Sequence, residues 1–320
     1  MTRILTFNHH EPFLVAMAGL DATFDVVTRA GALDLGWNVR ARAVPRNFRL
    51  IDLDQGRRDL RAGCYDVVVS HTVRNLGWMF PYRGARHVFV AHIPLFRQTL
   101  AQRLRSAVKS SAVSAFAAGR DFRFVAVSEW KRASWGRQGV VVPFFPVPFA
   151  ASLVSSARAP DVPVAVVANR IVERGEELGL GLVEEIRKRV PLRIIGANPD
   201  LAGAHVPSDF AEFVRLFSEC AVYLYTIEHP HGDGYNTSML EAMSLGMPVV
   251  TVPNPTSPIV HGVNGLVGRG ADELVAHIET LRADRLLRER IGAAAKATVE
   301  ARFTRERFLS AWREALFDHG

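Results

Sequence analysis

An α/β fold of two doubly wound domains facing across a cleft is predicted by three features of the 320-residue sequence. Short β-branched runs alternate with longer stretches of helical periodicity, the rhythm of a parallel sheet with crossover helices. That rhythm breaks once, in a proline-rich stretch near the middle, and then restarts. An apolar content of 48% with 22% charged residues is enough for two cores of roughly 150 residues each.

In the first half the strand-like runs are Arg3–Phe7, Val39–Ala43, Asp66–Ser70, His87–Val90 and Phe124–Val127, with an amphipathic stretch over Leu100–Phe116. Pro143, Pro146 and Pro148 precede an Ala- and Ser-rich segment, so the first domain is placed at residues 1–149 and a linker at 150–163. The second domain, 164–304, reads as strand Val164–Val167, helix Glu176–Arg189, strand Leu192–Ile195, helix Phe210–Cys220, strand Val222–Tyr225, a helix near Ser238–Leu245 and strand Val249–Val252. A last helix over Arg305–Phe317 lies beyond these strands and is expected to pack back on the first domain. Ligands of open parallel sheets bind beyond the carboxyl ends of the strands, which puts the expected site in the cleft.

The net charge of +7 is uneven: residues 1–150 hold 21 Lys and Arg against 10 Asp and Glu, residues 151–320 hold 18 against 22. A basic half suits an anionic lipid, nucleic acid or acidic glycan, or is simply a solvated surface. Its charges are dispersed without interleaved aromatics, which argues against nucleic acid. The stretch Phe96–Lys109 is basic and amphipathic, and reads either as an ordinary packed helix or as a peripheral contact with anionic membrane. The first residues lack an apolar run behind Arg3, and the longest nearly apolar run, Val140–Val154, is broken by prolines and short of the roughly 20 residues of a span. Cys64 and Cys220 have no Cys or His neighbour at metal-ligand spacing and read as buried thiols. A cytoplasmic protein is expected, at most peripheral at the inner membrane face.

The segment richest in chemistry is Tyr225-Thr-Ile-Glu-His-Pro-His-Gly-Asp-Gly-Tyr-Asn-Thr-Ser-Met-Leu-Glu241-Ala-Met-Ser-Leu-Gly-Met-Pro-Val-Val250, read as strand, loop, helix, turn, strand. Gly234 permits close backbone approach, and Asn236, Thr237 or Ser238 can cap a helix whose free N–H groups hold a diphosphate. Asp233 in the loop and Glu241 one turn inside the helix then offer carboxylates to sugar and ribose hydroxyls. With Gly234, Tyr235, Asn236, Thr237, Ser238 and Glu241 around a phosphate site, the set suits a nucleoside-diphosphate sugar.

An acid, seven residues, then Glu241-Ala-Met-Ser-Leu-Gly-Met-Pro-Val-Val resembles the donor signature of the retaining glycosyltransferases of family four, which have two Rossmann-like domains facing across a cleft, the GT-B fold. The family's first acid is usually Glu, so Asp233 is a departure that shortens the reach by one methylene. His261-Gly-Val-Asn-Gly-Leu-Val resembles a further family segment, and its Asn264-Gly265 reads independently as a tight turn. Ala126-Val-Ser-Glu-Trp resembles the end of the family's first domain, where Ser128 is a helix cap. The resemblance implies a metal-independent transfer of a hexose-type sugar, with retention, to a hydroxyl of a glycan, glycolipid or small molecule, and no cofactor. It implies that Arg170 and Arg174 hold the donor phosphates, that His92 after its strand faces the reacting centre, and that Asp233 orients the sugar. His71 reads as structural. His9, His10 and Glu11 resemble a metal cluster superficially but lack a fourth ligand, and read as polar residues on the acceptor side.

Other readings remain. Asp52-Leu-Asp54 has the letters of a metal-dependent transferase motif. Gly232-Asp-Gly has dinucleotide-binding character, but no third Gly and no ribose-binding acid follow. A sugar-nucleotide epimerase shares the architecture, and a non-catalytic nucleotide-sugar-binding scaffold would share the binding site.

Overall fold

The computed structural model describes residues 1–28, 36–39, 42–96, 98–155 and 164–317. The chain divides into two compact units, one of Met1–Phe144 with Arg305–Gly320 and one of Phe145–Thr304. The division falls at Phe145, ahead of the linker expected at 150–163. Phe149 packs on Phe210 and Phe213, with ring centroids 5.9 and 6.2 Å away, and so belongs to the second unit. Positions 156–163 of that linker lie outside the described residues.

The first unit runs β1 (Thr2–Phe7), α1 (Glu11–Met17), β2 (Ala22–Val27), β3 (Phe48–Ile51), α2 (Leu53–Arg61), β4 (Val67–Ser70), α3 (Val73–Met79), β5 (Arg86–Ala91), α4 (Leu100–Ala117), β6 (Phe122–Ala126), α5 (Glu129–Trp135) and β7 (Val140–Val141). Its seven strands are parallel in the order β3-β2-β1-β4-β5-β6-β7. The order reverses between β1 and β4, which opens a crevice beyond their carboxyl ends. Central strand β4 begins as an unbroken Val run and is buried throughout, as a strand covered on both faces reads. Ser128 caps α5 as expected, its Oγ accepting from the Lys131 N–H at 3.2 Å.

Two strands differ from the sequence reading. Val39–Ala43 is not a strand where it is described, at 39, 42 and 43, and its positions 40 and 41 lie outside the described residues. The sheet takes β2 and β3 instead. Asp25 interrupts the apolar run of β2, yet it is buried, because three donors surround it: Arg49 Nε at 2.7 Å, Arg3 Nη2 at 2.9 Å and the Tyr65 hydroxyl at 2.7 Å. Burial alone raises a carboxyl's pKa; these donors outweigh it and hold Asp25 below the usual carboxylate range.

The second unit runs β8 (Val164–Val167), α6 (Ile171–Arg174), α7 (Leu180–Arg187), β9 (Leu192–Ile195), α8 (Phe210–Ser218), β10 (Tyr223–Tyr225), α9 (Thr237–Ser244), β11 (Val249–Thr251), β12 (Gly265–Val267), α10 (Gly270–Ala283) and α11 (Arg285–Arg302). Its parallel sheet has the order β12-β11-β10-β8-β9, so the switch point lies between β8 and β10. The helix expected over Glu176–Arg189 is split: a 3-10 turn, Gly175–Leu178, precedes α7. Gly265 opens β12 rather than sitting in a turn, and the turn residues are 262–264. Asn264 braces that turn by accepting from the Val260 N–H at 2.7 Å and donating to Thr298 Oγ1 at 2.9 Å. Helix α11 packs on α9 at a close backbone approach, where a Cβ on Gly292 would stand 2.1 Å from the Gly246 carbonyl.

The last helix, α12 (Arg305–Phe317), belongs to the first unit. Phe308 and Trp312 are fully buried and meet Phe13 of α1, with centroids 5.6 and 5.9 Å away. Arg86 Nη1 donates to the Leu316 carbonyl at 2.8 Å. Cys64 is half-buried, Cys220 is buried, and both are free thiols. No helix among the described residues is long and apolar enough to cross a membrane.

Asp25→Asn keeps the shape and removes the charge, leaving Arg3 and Arg49 facing a neutral amide. It should cost about 2 kcal/mol in denaturant unfolding at neutral pH, the scale of hydrogen bonds to a charged group whose partners are partly exposed. A depressed pKa contributes stability above the ordinary carboxylate range and loses it as pH falls through the folded value, so the deficit of Asp25→Asn should shrink on acidification.

Candidate functional site

In the second unit the segments after β8 and β10 stand at the switch point. Beyond β10 the chain turns back, and α9 begins at Asn236, whose side chain accepts from the Met239 N–H at 2.8 Å. Of the three expected caps, Asn236 is the one used. Thr237 follows with its Oγ1 buried and without a partner among the described residues. Asp233 and Glu241 are both buried, on the loop and on the second turn of α9. Buried carboxylates at a helix start are costly unless something there is positive or donates hydrogen bonds.

The loop carrying Asp233 is held from both sides. The Tyr225 hydroxyl donates to the Asp233 carbonyl at 2.8 Å. Gly234 donates its N–H to Thr256 Oγ1 at 2.7 Å, and a Cβ on Gly234 would stand 2.5 Å from the Ser257 nitrogen. Gly234 is therefore needed for packing against the 254–257 loop. Asn254 ties that loop back through Nδ2 to the Gly232 carbonyl at 3.2 Å. Asn254 and Thr256 were not legible as site residues, because polar residues between prolines read as any loop. Tyr235 leans on Phe303, with centroids 5.2 Å apart.

Arg170 precedes α6 and Arg174 is its last residue, shortly after β8. Arg170 has a left-handed backbone (φ 55°), which costs a non-glycine residue energy and recurs at functional sites. Its N–H donates to the Ala197 carbonyl at 2.8 Å, and Asn198 Oδ1 accepts from the next N–H, of Ile171, at 2.8 Å. Both guanidinium groups are half-exposed and engage carboxylates of their own turn, Arg170 with Glu173 and Arg174 with Glu177 at 3.2 Å. Thr226 Oγ1 donates to the Leu178 carbonyl at 3.0 Å, which ties the segment after α6 to the end of β10. Burial raises the pKa of the Tyr225 hydroxyl, with Tyr223 and Asp233 adding to it, while the Arg174 charge pulls the other way. Tyr223 is likewise pushed up, first by burial and then by Glu241, against a hydrogen bond with Asn236.

In the first unit a cavity of ≈ 380 Å³ opens beyond β1, β4 and β5, at that sheet's switch point. His71 Nδ1 lies 2.9 Å from His92 Nε2, and His71 Nε2 lies 2.9 Å from Thr6 Oγ1. His9 completes the cluster, its ring centroid 4.7 Å from that of His92 and 5.9 Å from that of His71. Burial first, then the neighbouring imidazoles, push His71 and His92 well below the ordinary histidine pKa, and burial lowers His9. The cluster is neutral at physiological pH and offers N–H donors and lone pairs rather than charge.

His71, read as structural, is in direct contact with His92 and lines the same cavity. Three imidazoles from the ends of three strands are invisible to spacing rules. His10 turns away toward Phe144, 6.0 Å between centroids, and burial pushes it down to about 3. Glu11 is a loop brace whose Oε1 accepts from Asn8 Nδ2 at 3.0 Å and from the Asn38 N–H at 3.1 Å. Among the described residues no group of three or more His, Cys, Asp and Glu is arranged to hold a metal ion. Asp52 of the Asp-Leu-Asp letters caps α2, accepting from the Gln55 N–H at 2.7 Å.

Residues 180–314 match the family model described as "Glycosyl transferase-like". No curated protein sequence matches the chain. Among solved structures, HepE of Anabaena in complex with UDP-glucose superposes with a TM-score of 0.70 at 16% identity, over 99% of both chains. Sucrose-phosphate synthase from Thermosynechococcus elongatus gives 0.66 at 12% identity, over 98% of both. TarM of S. aureus gives 0.62 at 13% identity; 79% of this chain is covered, and the match spans only 55% of TarM. At such identities the likeness is one of fold. The chain therefore has the GT-B fold, and its residues 180–314 match the glycosyltransferase type expected from the sequence.

Proposed function

We propose that the chain is a retaining, metal-independent glycosyltransferase that moves a hexose from a nucleoside diphosphate to a hydroxyl acceptor. The observation that carries the reading is the pair of buried carboxylates, Asp233 and Glu241, on either side of the Asn236-capped start of α9, at the switch point of the second sheet. UDP-glucose is the first donor to test, because the neighbour HepE binds it.

On this reading Glu241 accepts from the ribose hydroxyls and Asp233 from the sugar. The start of α9, with Gly234, Tyr235, Asn236, Thr237 and Ser238, receives the diphosphate. Arg170 and Arg174 leave Glu173 and Glu177 and turn their guanidinium groups to the phosphate oxygens. These groups supply the positive charge that a metal supplies in other transferases. The acceptor oxygen bonds to the anomeric carbon as the bond to the diphosphate breaks. The electron pair leaves with the nucleotide, and the acceptor's proton passes to the departing phosphate oxygen on the same face. His92, held by His71, lines the first unit's cavity, where His9 is the acceptor-side residue that shares its surface. The acceptor is a glycan, glycolipid or small molecule. The Asp233–Glu241 pair favours transfer over a scaffold role or epimerisation.

With UDP-glucose, a panel of glycoside acceptors and excess chelator, the product should keep the donor's anomeric configuration by NMR. Arg170→Ala or Arg174→Ala should lower kcat/KM by about 100-fold, the scale of a lost transition-state charge partner. An inverted product, a requirement for metal, or arginine variants within about twofold of wild type would each overturn the matching part of the reading. UDP binding without turnover would point to a scaffold.

A peripheral contact with anionic membrane is a second element of the proposal. Leu100, Leu104 and Val108 of α4 are 74%, 61% and 69% exposed, and they repeat every four residues on one face. Arg103, Arg105 and Lys109 are exposed beside them. An apolar ridge edged by cations fits the surface of an anionic bilayer. Co-sedimentation with vesicles containing anionic lipid should fall sharply with salt and with a Leu100→Ser/Leu104→Ser variant. Equal binding to neutral vesicles at high salt would contradict it.

A further inference from the structure

The cavity of the first unit has a charge pattern that transfer to an unspecified hydroxyl does not require. Its charged lining residues are Arg74, at the start of α3, and Lys109, on α4, and no carboxylate stands among its described lining residues, the nearby Glu11 being engaged with Asn8 behind the wall. The imidazoles of His9, His71 and His92 also line it. Burial holds them neutral, so the cavity's positive charge comes from Arg74 and Lys109.

Two further features point to a sugar ring. Trp78, half-buried on α3, contributes an indole to the lining, and indoles take the apolar face of a pyranose. Asn8 lines the same space and is only 3% exposed. Its Nδ2 is used, donating to Glu11 at 3.0 Å and to the Gly36 carbonyl at 2.8 Å. Its Oδ1 is buried with no partner among the described residues. An unsatisfied buried acceptor is costly, and a ligand hydroxyl removes that cost.

We propose that this cavity binds an acceptor sugar bearing an acidic group, a phosphate or a carboxylate. Asn8 Oδ1 accepts from a ring hydroxyl, Trp78 covers the ring, and Arg74 and Lys109 receive the acid. The inference rests on the glycosyltransferase reading for the word acceptor, but the site itself is a statement about binding.

Binding is measured by calorimetry with glucose 1-phosphate, methyl glucuronide and methyl glucoside, on the full chain, with UDP titrated into the same protein as a control. At least one acidic sugar should bind about tenfold more tightly than the neutral glycoside, the scale of two partly exposed ion pairs. The phosphate and carboxylate arms tell which acid is preferred. An Arg74→Gln/Lys109→Gln double variant should lose that preference while keeping its affinity for methyl glucoside and UDP. Asn8→Ala should weaken all three sugars alike. Equal affinity for acidic and neutral sugars, a preference that survives the double variant, or no binding of any sugar at tens of millimolar would overturn the proposal. If these occur while UDP still binds, the donor reading stands and only the acceptor inference fails.

Discussion

The segment from β10 to α9 depends on one close contact, the approach of Gly234 to Ser257. With the Gly234 N–H on Thr256 and a Cβ excluded by the Ser257 backbone, the loop after β10 has one course. That course fixes Asp233 and delivers the chain to Asn236, which starts α9 by capping Met239. The far end of α9 is fixed the same way, by the approach of Gly292 to Gly246. Between two such contacts a short helix cannot shift without breaking packing at one end. Preorganised N–H groups and buried carboxylates are what a charged, polyhydroxylated ligand requires.

The first unit reaches a comparable end by a different route. Its switch point gathers neutral imidazoles instead of carboxylates, and the chain from Thr6 through His71 to His92 orients rings that would otherwise rotate. Burial keeps them uncharged, so they present hydrogen-bonding edges to the cavity, whose charged lining residues among those described are Arg74 and Lys109. Helix α12 is tied to this region through Phe13, whose ring meets Phe308 and Trp312 and also His92, 5.0 Å away between centroids.

Much of the second unit was legible because its motif is local: strand, loop, capped helix, turn and strand lie within the 29 consecutive positions from Tyr223 to Thr251, and each has its own signal. Strand Val164–Val167 was read to the residue. Where the sequence misled, the cause was a contact distant in the chain. Asp25 hid β2, because only Arg3, Arg49 and Tyr65 make a carboxylate tolerable inside a strand. β3 was missed because Arg49 and Leu50 both face solvent on an edge strand, which blurs the alternation. Gly234 was read as permitting a close backbone approach, and the backbone it approaches is that of Ser257. His71 was read as structural, and its contact with His92 was out of reach of the sequence, since nothing in the spacing of residues 9, 71 and 92 tells that three parallel strands end side by side.

The central claim is that Asp233, Glu241 and the start of α9 form a nucleotide-sugar site, and binding tests it more directly than turnover. Calorimetric titration of UDP-glucose in chelator, into wild type and Glu241→Ala, should give a 1:1 complex with wild type. The Glu241→Ala affinity should be lower by about tenfold or more, the scale of a lost charge-assisted hydrogen bond. Equal affinity in the two proteins, with both folded, would place the nucleotide elsewhere and contradict the account.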